Sequence, residues 1–294
     1  MSTIETRRPS GYEVAEKLAQ VEALDAPAEA IAKRIRGWVP AGPVKDALSG
    51  TWLGHALHPV LTDIPISTWT SALLLDWLGG DRSREGADRL IALGLTAAAP
   101  TFASGWLEYA DSTAGNQTVK RVGIVHAASN GTAAALFATS LAARRNGARG
   151  RGKLLALAGG AALVMGGFLG GHLSFAEGTG VDRNAFEKPP EDWTDVAPES
   201  DLQDGRPRCF EVDDVKVLVV RHDGELFALS DTCAHRGGPL HEGEIVDGCV
   251  QCPWHSSRFR LRDGAVIQGP SPYPQPVWEA RVRDGRVEVR PTAV

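Results

Sequence analysis

Three of the chain's four cysteines and three of its eight histidines fall within 23 residues, CAHRGGPLHEGEIVDGCVQCPWH, from Cys233 to His255. Thiolates and imidazoles concentrated in this way are the donor set of a metal site. By spacing, Cys233-x-His235 and Cys252-x-x-His255 are two half-sites, each offering one sulfur and one nitrogen. Zinc accepts the same donors, and Cys249 with Cys252 makes a rival Cys-x-x-Cys knuckle. One cysteine and one histidine per loop suits a binuclear iron-sulfur cluster better, with two thiolates on one iron and two imidazoles on the other.

Holding two such loops face to face takes a rigid frame, and the residues around them predict one. The runs KVLVV, ELFAL, EIVDG, SRFRL, AVIQG, WEARV and RVEVR are short and rich in β-branched or alternating residues. Asp223-Gly224, Asp247-Gly248, Asp263-Gly264 and Asp284-Gly285 punctuate them. Asp-Gly tolerates the positive φ of tight hairpins, so this third of the chain is expected to be an antiparallel sandwich or barrel.

At these residues a resemblance becomes specific. CAHRGGPL and CPWHSSRF resemble the two cluster loops of Rieske-type 2Fe-2S proteins, and residues 193–294 resemble a whole Rieske ferredoxin domain. The resemblance implies Cys233 and Cys252 on the inner iron and His235 and His255 on the outer one. It also implies that Gly269-Pro270-Ser271-Pro272 shields the cluster. Rieske proteins of cytochrome bc complexes carry a further disulfide-bonded cysteine in each loop and a tyrosine bonded to a ligand sulfur. Here Gly238, Trp254 and Phe259 stand at those places. Fewer hydrogen bonds to the cluster sulfurs imply the low-potential, ferredoxin-like subtype. Of the other candidates nearby, Cys209 and Cys249 read as buried apolar residues, His222 as an exposed turn residue, and His241 as an exposed neighbour of the first loop.

The front of the chain is different. Residues 90–107, 122–143 and 154–176 contain no Asp, Glu, Lys or Arg. Each approaches or exceeds the ~20 residues that a helix needs to cross a bilayer. A fourth run, 57–78, has the length but carries His58, Asp63 and Asp76. GHALHPVLTDIPISTWTSALLLDWLGG with GGFLGGHLSFAEGTGV resembles a family of uncharacterised bacterial four-helix membrane domains. Alternating helix directions would bring His55, His58, His126 and His172 to one face, with His126 four residues into its helix. That face is the one from which the β domain hangs. These four histidines are candidate contacts for a b-type haem or a quinone. Asp76 lies about 27 Å along the helix from His58 and is expected to pair with a loop arginine.

The expected organisation is α+β in two domains: an amphipathic segment over 1–50, a four-helix transmembrane bundle over 51–176, a linker over 177–192 and an all-β Rieske sandwich over 193–294. From Glu191 onward there are 12 Lys and Arg against 19 Asp and Glu; residues 1–190 have 19 against 17. An acidic head repels nucleic acid and suits a redox partner with a basic docking face. The expected role is a membrane-anchored electron carrier in a bacterial cell membrane, multi-pass, with its head in the cytoplasm. No secretory signal is evident, and arginine and lysine are nearly balanced between the loops of the two faces. The rival is a quinol- or haem-linked membrane oxidoreductase. An oxygenase is disfavoured by the 39 residues that follow His255.

Overall fold

The computed structural model describes residues 10–113 and 116–292. The first nine residues of the expected amphipathic segment, including Arg7-Arg8, and residues 293–294 lie outside the described ones. Two compact units are present: residues up to Trp38 with Leu57–Thr179, and Val39–Ala56 with Gly180–Val294.

The first unit is helical. Helices α1 (Ser10–Ala19) and α2 (Asp25–Trp38) precede four long ones, α4 (Leu57–Leu78), α5 (Arg84–Ser112), α6 (Gln117–Arg145) and α7 (Arg149–Gly171), the last continuing as a π turn over His172–Ala176. The run 57–78 coincides with α4 and the run 154–176 ends with the π turn, whereas α5 and α6 extend beyond their runs at both ends and α7 begins five residues before its run. The Asn116 side chain accepts the Val119 N–H at 3.0 Å and starts α6 five residues before its uncharged run. His126 is therefore more than two turns into the helix rather than one.

Small residues let the long helices close on one another. Trp69 stacks on Phe137 with ring centres 4.6 Å apart, and a Cβ on Gly94 would fall 2.3 Å from the indole nitrogen. Two helices, Asp81–Ser112 and Arg149–Ala176, are long and apolar enough to span a membrane. The α7 side chains Leu154, Leu157, Val164, Met165 and Phe168 are exposed. At one end of the unit Asp76 meets the predicted arginines. Arg144 donates to both its oxygens, Arg149 donates to it as well, and both arginines also bond Asp88. The Asp76 and Arg144 side chains are fully buried.

The second unit contains α3 (Pro43–Ser49) and ten strands: β1 (Thr194–Pro198), β2 (Arg208–Val212), β3 (Val215–His222), β4 (Glu225–Ser230), β5 (Glu244–Val246), β6 (Cys249–Gln251), β7 (Arg258–Arg260), β8 (Val266–Gln268), β9 (Val277–Arg283) and β10 (Arg286–Pro291). A six-stranded antiparallel sheet runs β1-β10-β9-β4-β3-β2, and a four-stranded one runs β5-β6-β7-β8. Three of the Asp-Gly pairs, at 223, 247 and 284, put both residues at positive φ and close two-residue hairpins. The β2–β3 hairpin turns instead on Asp213 at φ 51°, a site without glycine.

Strand β3 explains its unbroken apolar run VLVV, Val217 to Val220. Val215, Val217 and Val219 face one core with Trp278, Val287 and Val289. Leu218 and Val220 face the other, with Leu229, Phe259, Cys233 and Cys252. A strand buried on both faces loses the alternation of a half-buried one.

Candidate metal centre

Two loops carry the cysteine-histidine pairs, one after β4 and one between β6 and β7, and their backbones are built alike. The Cys233 N–H bonds Gly238 O (2.9 Å) and the Gly237 N–H bonds Cys233 O (2.8 Å). In the second loop the Cys252 N–H bonds Ser257 O (2.8 Å) and the Ser256 N–H bonds Cys252 O (3.0 Å). Each loop thus closes on its own cysteine with a residue at positive φ, Gly237 at 77° and Ser256 at 64°. Serine there bears the Cβ strain that glycine avoids.

This closure aims backbone N–H groups at sulfur. Cys233 receives those of His235 and Arg236; Cys252 receives those of Trp254 and His255. The two thiols are buried and hydrogen-bonded to each other. The bond from Cys233, helped by its own two N–H donors, brings Cys252 down to about 7, while Cys233 is pushed well up. Next to them the His235 and His255 rings lie 5.1 Å apart, nearly perpendicular. Burial holds His235 far below the usual imidazole range, and the nearby charges of Arg236, Lys45 and Arg183 add to it. A neutral imidazole is the form that ligates metal. Its Nδ1 is buried and has no hydrogen-bond partner among the described residues. Two convergent thiols, two convergent imidazoles and an orphaned ring nitrogen fit a metal cluster as the missing partner.

Several residues that hold the loops gave no signal of their own in the sequence. Gln275, buried in PYPQPV, donates to Ser230 O (2.6 Å) and Thr232 O (2.8 Å) and accepts the Ala234 N–H (3.0 Å), clamping the first loop around its cysteine. A glutamine fenced by prolines just after a buried Pro-rich run was the available clue. Asp231 staples the ends of that loop. Its carboxylate accepts the His241 backbone N–H and faces the ring Nδ1, both at 2.7 Å. His241 is thus a partner of the loop and only one-third exposed. Cys209 is half-buried beside this pair; burial and the Asp231 charge push its thiol up to about 12. Cys249 is buried, as expected, and His222 sits beside Asp223 at the end of β3.

Residues 269–272 are buried, and the Ser271 N–H bonds Ser257 Oγ at 3.0 Å, fixing this segment to the second loop. The segment 39–56 reaches the same place: a Cβ on Gly269 would fall 2.3 Å from Thr51 Oγ1 and 2.8 Å from Asp46 Oδ1. Gly238 leaves no room either, since a Cβ would stand 2.9 Å from Cys252 Sγ and 3.1 Å from the Trp254 ring. The stretch expected as a linker bonds to the first loop and its surroundings through Arg183 N–H to Ala234 O and Ser230 Oγ–H to Glu187.

The three expected histidines that lie in the helical unit, His58, His126 and His172, are not gathered into one group. His58 and His126 meet, with ring centres 6.4 Å apart. His172 instead packs on Tyr12 at 5.4 Å, its Nε2 3.7 Å from Glu177. His55 belongs to the 39–56 segment of the second unit, is exposed, and bonds its own neighbour, Ala56 O.

Comparison with known proteins follows the same division. Residues 192–279 match the family model of the Rieske [2Fe-2S] domain, and residues 54–183 match that of a predicted membrane protein family, DUF2231. The cytochrome b6-f complex iron-sulfur subunit of Chlorobaculum tepidum is 36% identical over 94 residues, covering 32% of this chain and 51% of that one. The chain therefore spans about half the length of that relative. The anthranilate 1,2-dioxygenase ferredoxin subunit of Burkholderia cepacia is 34% identical over 98 residues, 33% of this chain and 91% of that one. The 3-phenylpropionate/cinnamic acid dioxygenase ferredoxin subunit of Photorhabdus laumondii is 32% identical over 90 residues, 30% and 85% of the two chains.

Proposed function

Because the chain belongs to the Rieske [2Fe-2S] family, we propose that it is a membrane-anchored one-electron carrier whose cluster is held by Cys233, Cys252, His235 and His255. When bound, the 2Fe-2S cluster supplies reversible one-electron chemistry. The protein's part is to hold the ligands still. The buried cysteines and their N–H donors stabilise sulfur charge, the two imidazoles offer ring nitrogens, and Gln275 and Asp231 fix the first loop. The observation that carries this reading is the convergence of two like loops around paired thiols and an unpartnered His235 Nδ1. That ferredoxin subunits are covered over nearly their whole length favours a carrier over an oxidoreductase component.

All four long helices cross the membrane, α4 and α6 being carried by their packing against α5 and α7. The head faces the cytoplasm, a compartment that keeps thiols such as Cys209 and Cys249 reduced. Its acidic surface suits a partner with a basic docking face, since opposite charges steer encounter. The potential is low for the family. Phe259 is fully buried in the cluster core and carries no hydroxyl to donate. The cations around His235 favour the reduced state and moderate that drop.

A redox titration followed by paramagnetic resonance tests this. The midpoint should lie nearer to about −150 mV than to about +300 mV, the two ends of the Rieske range. Phe259→Tyr should raise it by roughly 40 mV, the equivalent of a ~1 kcal/mol hydrogen bond in a one-electron couple. A wild-type value above about +200 mV, toward the high end, would overturn the low-potential assignment.

A further inference from the structure

The helical unit contains one device twice. His58, on α4, donates its Nδ1–H to the Thr101 carbonyl of α5 at 3.0 Å. His126, on α6, donates its Nδ1–H to the Gly166 carbonyl of α7 at 2.8 Å. A carbonyl only accepts, so these bonds fix the tautomer and leave the lone pair on Nε2 in each ring. Four residues beyond each carbonyl stands a glycine. A Cβ on Gly105 would fall 2.6–3.2 Å from the His58 ring, and one on Gly170 would fall 3.0 Å from the nearest atom of the His126 ring. Each imidazole therefore reaches its carbonyl across a gap in the side chains of the neighbouring helix.

A single such histidine would be a polar side chain made tolerable inside a bundle. Two, brought from different hairpins to a ring separation of 6.4 Å at an interplanar angle of 83°, place two imidazoles at one point. Imidazole nitrogen binds first-row metals at about 2.0–2.1 Å, so a metal between two Nε2 atoms needs ring centres roughly 6 Å apart. An Nδ1–H bonded to a backbone carbonyl is also the arrangement that orients metal-binding histidines and strengthens their donor nitrogen. Asn130 Nδ2 donates to the His126 carbonyl at 3.0 Å and makes only longer contacts, 3.4 Å, with the two ring nitrogens. Intramembrane ionisable groups are costly to keep without use.

We propose that His58 and His126 coordinate, through Nε2, a metal centre inside the helical unit, separate from the iron-sulfur cluster. The shared chemistry is a transition-metal ion that accepts two neutral imidazoles, either as the iron of a haem or as a lone copper or zinc ion. His55 and His172, which have other partners, take no part.

The test is metal and haem content of the full-length protein purified in mild detergent, before and after incubation with haemin, zinc or copper salts. One further equivalent beyond the cluster iron is expected. A pyridine haemochrome assay then separates haem from a lone ion. His58→Ala and His126→Ala should each lower that occupancy at least tenfold, whereas His55→Ala and His172→Ala should leave it unchanged. The cluster's resonance reports whether the variants are folded. His58→Met retains a ligand without imidazole and should shift the optical spectrum of a haem or copper centre. Wild-type protein that holds only cluster iron under every condition overturns the proposal, as does a second metal undiminished in both alanine variants.

Discussion

In the β unit the four candidate donor side chains come from two loops whose cysteines are 19 residues apart, each loop closed by its own backbone. In the helical unit His58 and His126 depend on carbonyls 43 and 40 residues away along the chain. Both units repeat a device twice and let the repeats meet. They differ in where the geometry is stored. A cluster loop carries its donors and its turn together, and the sandwich has only to present it. A helix carries a histidine but not its anchor, so helix packing alone makes the pair. Local construction should therefore make the cluster site sensitive to single ligands, whereas the helical unit should be sensitive to whatever holds its helices together.

The largest effect is expected at the ligands. Cys252→Ala removes a thiolate that no neighbour replaces, and iron and sulfide content should fall at least tenfold in protein that still inserts and purifies, since metal affinity is set by the donors. Asp76→Asn probes the other unit. It leaves the fully buried Arg144 without its main counter-charge, and breaking a buried pair in this way costs about 3–5 kcal/mol. Thermal unfolding in detergent, followed by circular dichroism, should show the helical transition falling while the cluster's visible absorbance persists at low temperature. If that absorbance vanished with Asp76→Asn before any heating, the contrast between the units would fail.

How much of this could be read in advance follows the same contrast. The two loops that bear Cys233-x-His235 and Cys252-x-x-His255 were legible because each pair is contiguous in sequence, and the strands around them because Asp-Gly pairs announce hairpins. The hairpin at Asp213 was not, since Asp-Asp lacks the glycine that signals positive φ. The clamp by Gln275 had only its proline-fenced position as a clue, because its partners lie 41 to 45 residues away. In the helical unit the uncharged runs marked the helices and Asp76 found its arginines. The placement of four histidines by helix direction, however, gave only a common end. Whether rings face one another depends on helix rotation and on gaps such as Gly105, which hydropathy does not encode.

Gln275→Ala tests whether long-range clamping matters in the unit called local. It leaves the Ala234 N–H and two carbonyls unpaired in a buried site and should cost about 2–3 kcal/mol, read from the denaturant midpoint of cluster bleaching. The smallest effect concerns Glu187. Burial raises its carboxyl, which bonds the Ser230 hydroxyl, and the Asp182 charge adds to the rise. A raised folded value means that the group's favourable contribution is present below its unfolded value near 4.5 and is lost as pH rises through the folded one. Glu187→Gln should therefore stabilise the β unit at pH 7, by up to about 0.5 kcal/mol after allowance for solvent screening, and not at pH 4. Melting temperatures at the two pH values check the sign.

The most direct test of the whole account is paramagnetic resonance of the dithionite-reduced, detergent-solubilised chain, with pulsed detection of coupled nitrogen. Four ligands of two kinds predict a rhombic signal of low average g, with two imidazole nitrogens coupled to the cluster, and loss of that coupling in His235→Ala and His255→Ala. A spectrum without nitrogen coupling, or protein carrying zinc and neither iron nor sulfide, would contradict it.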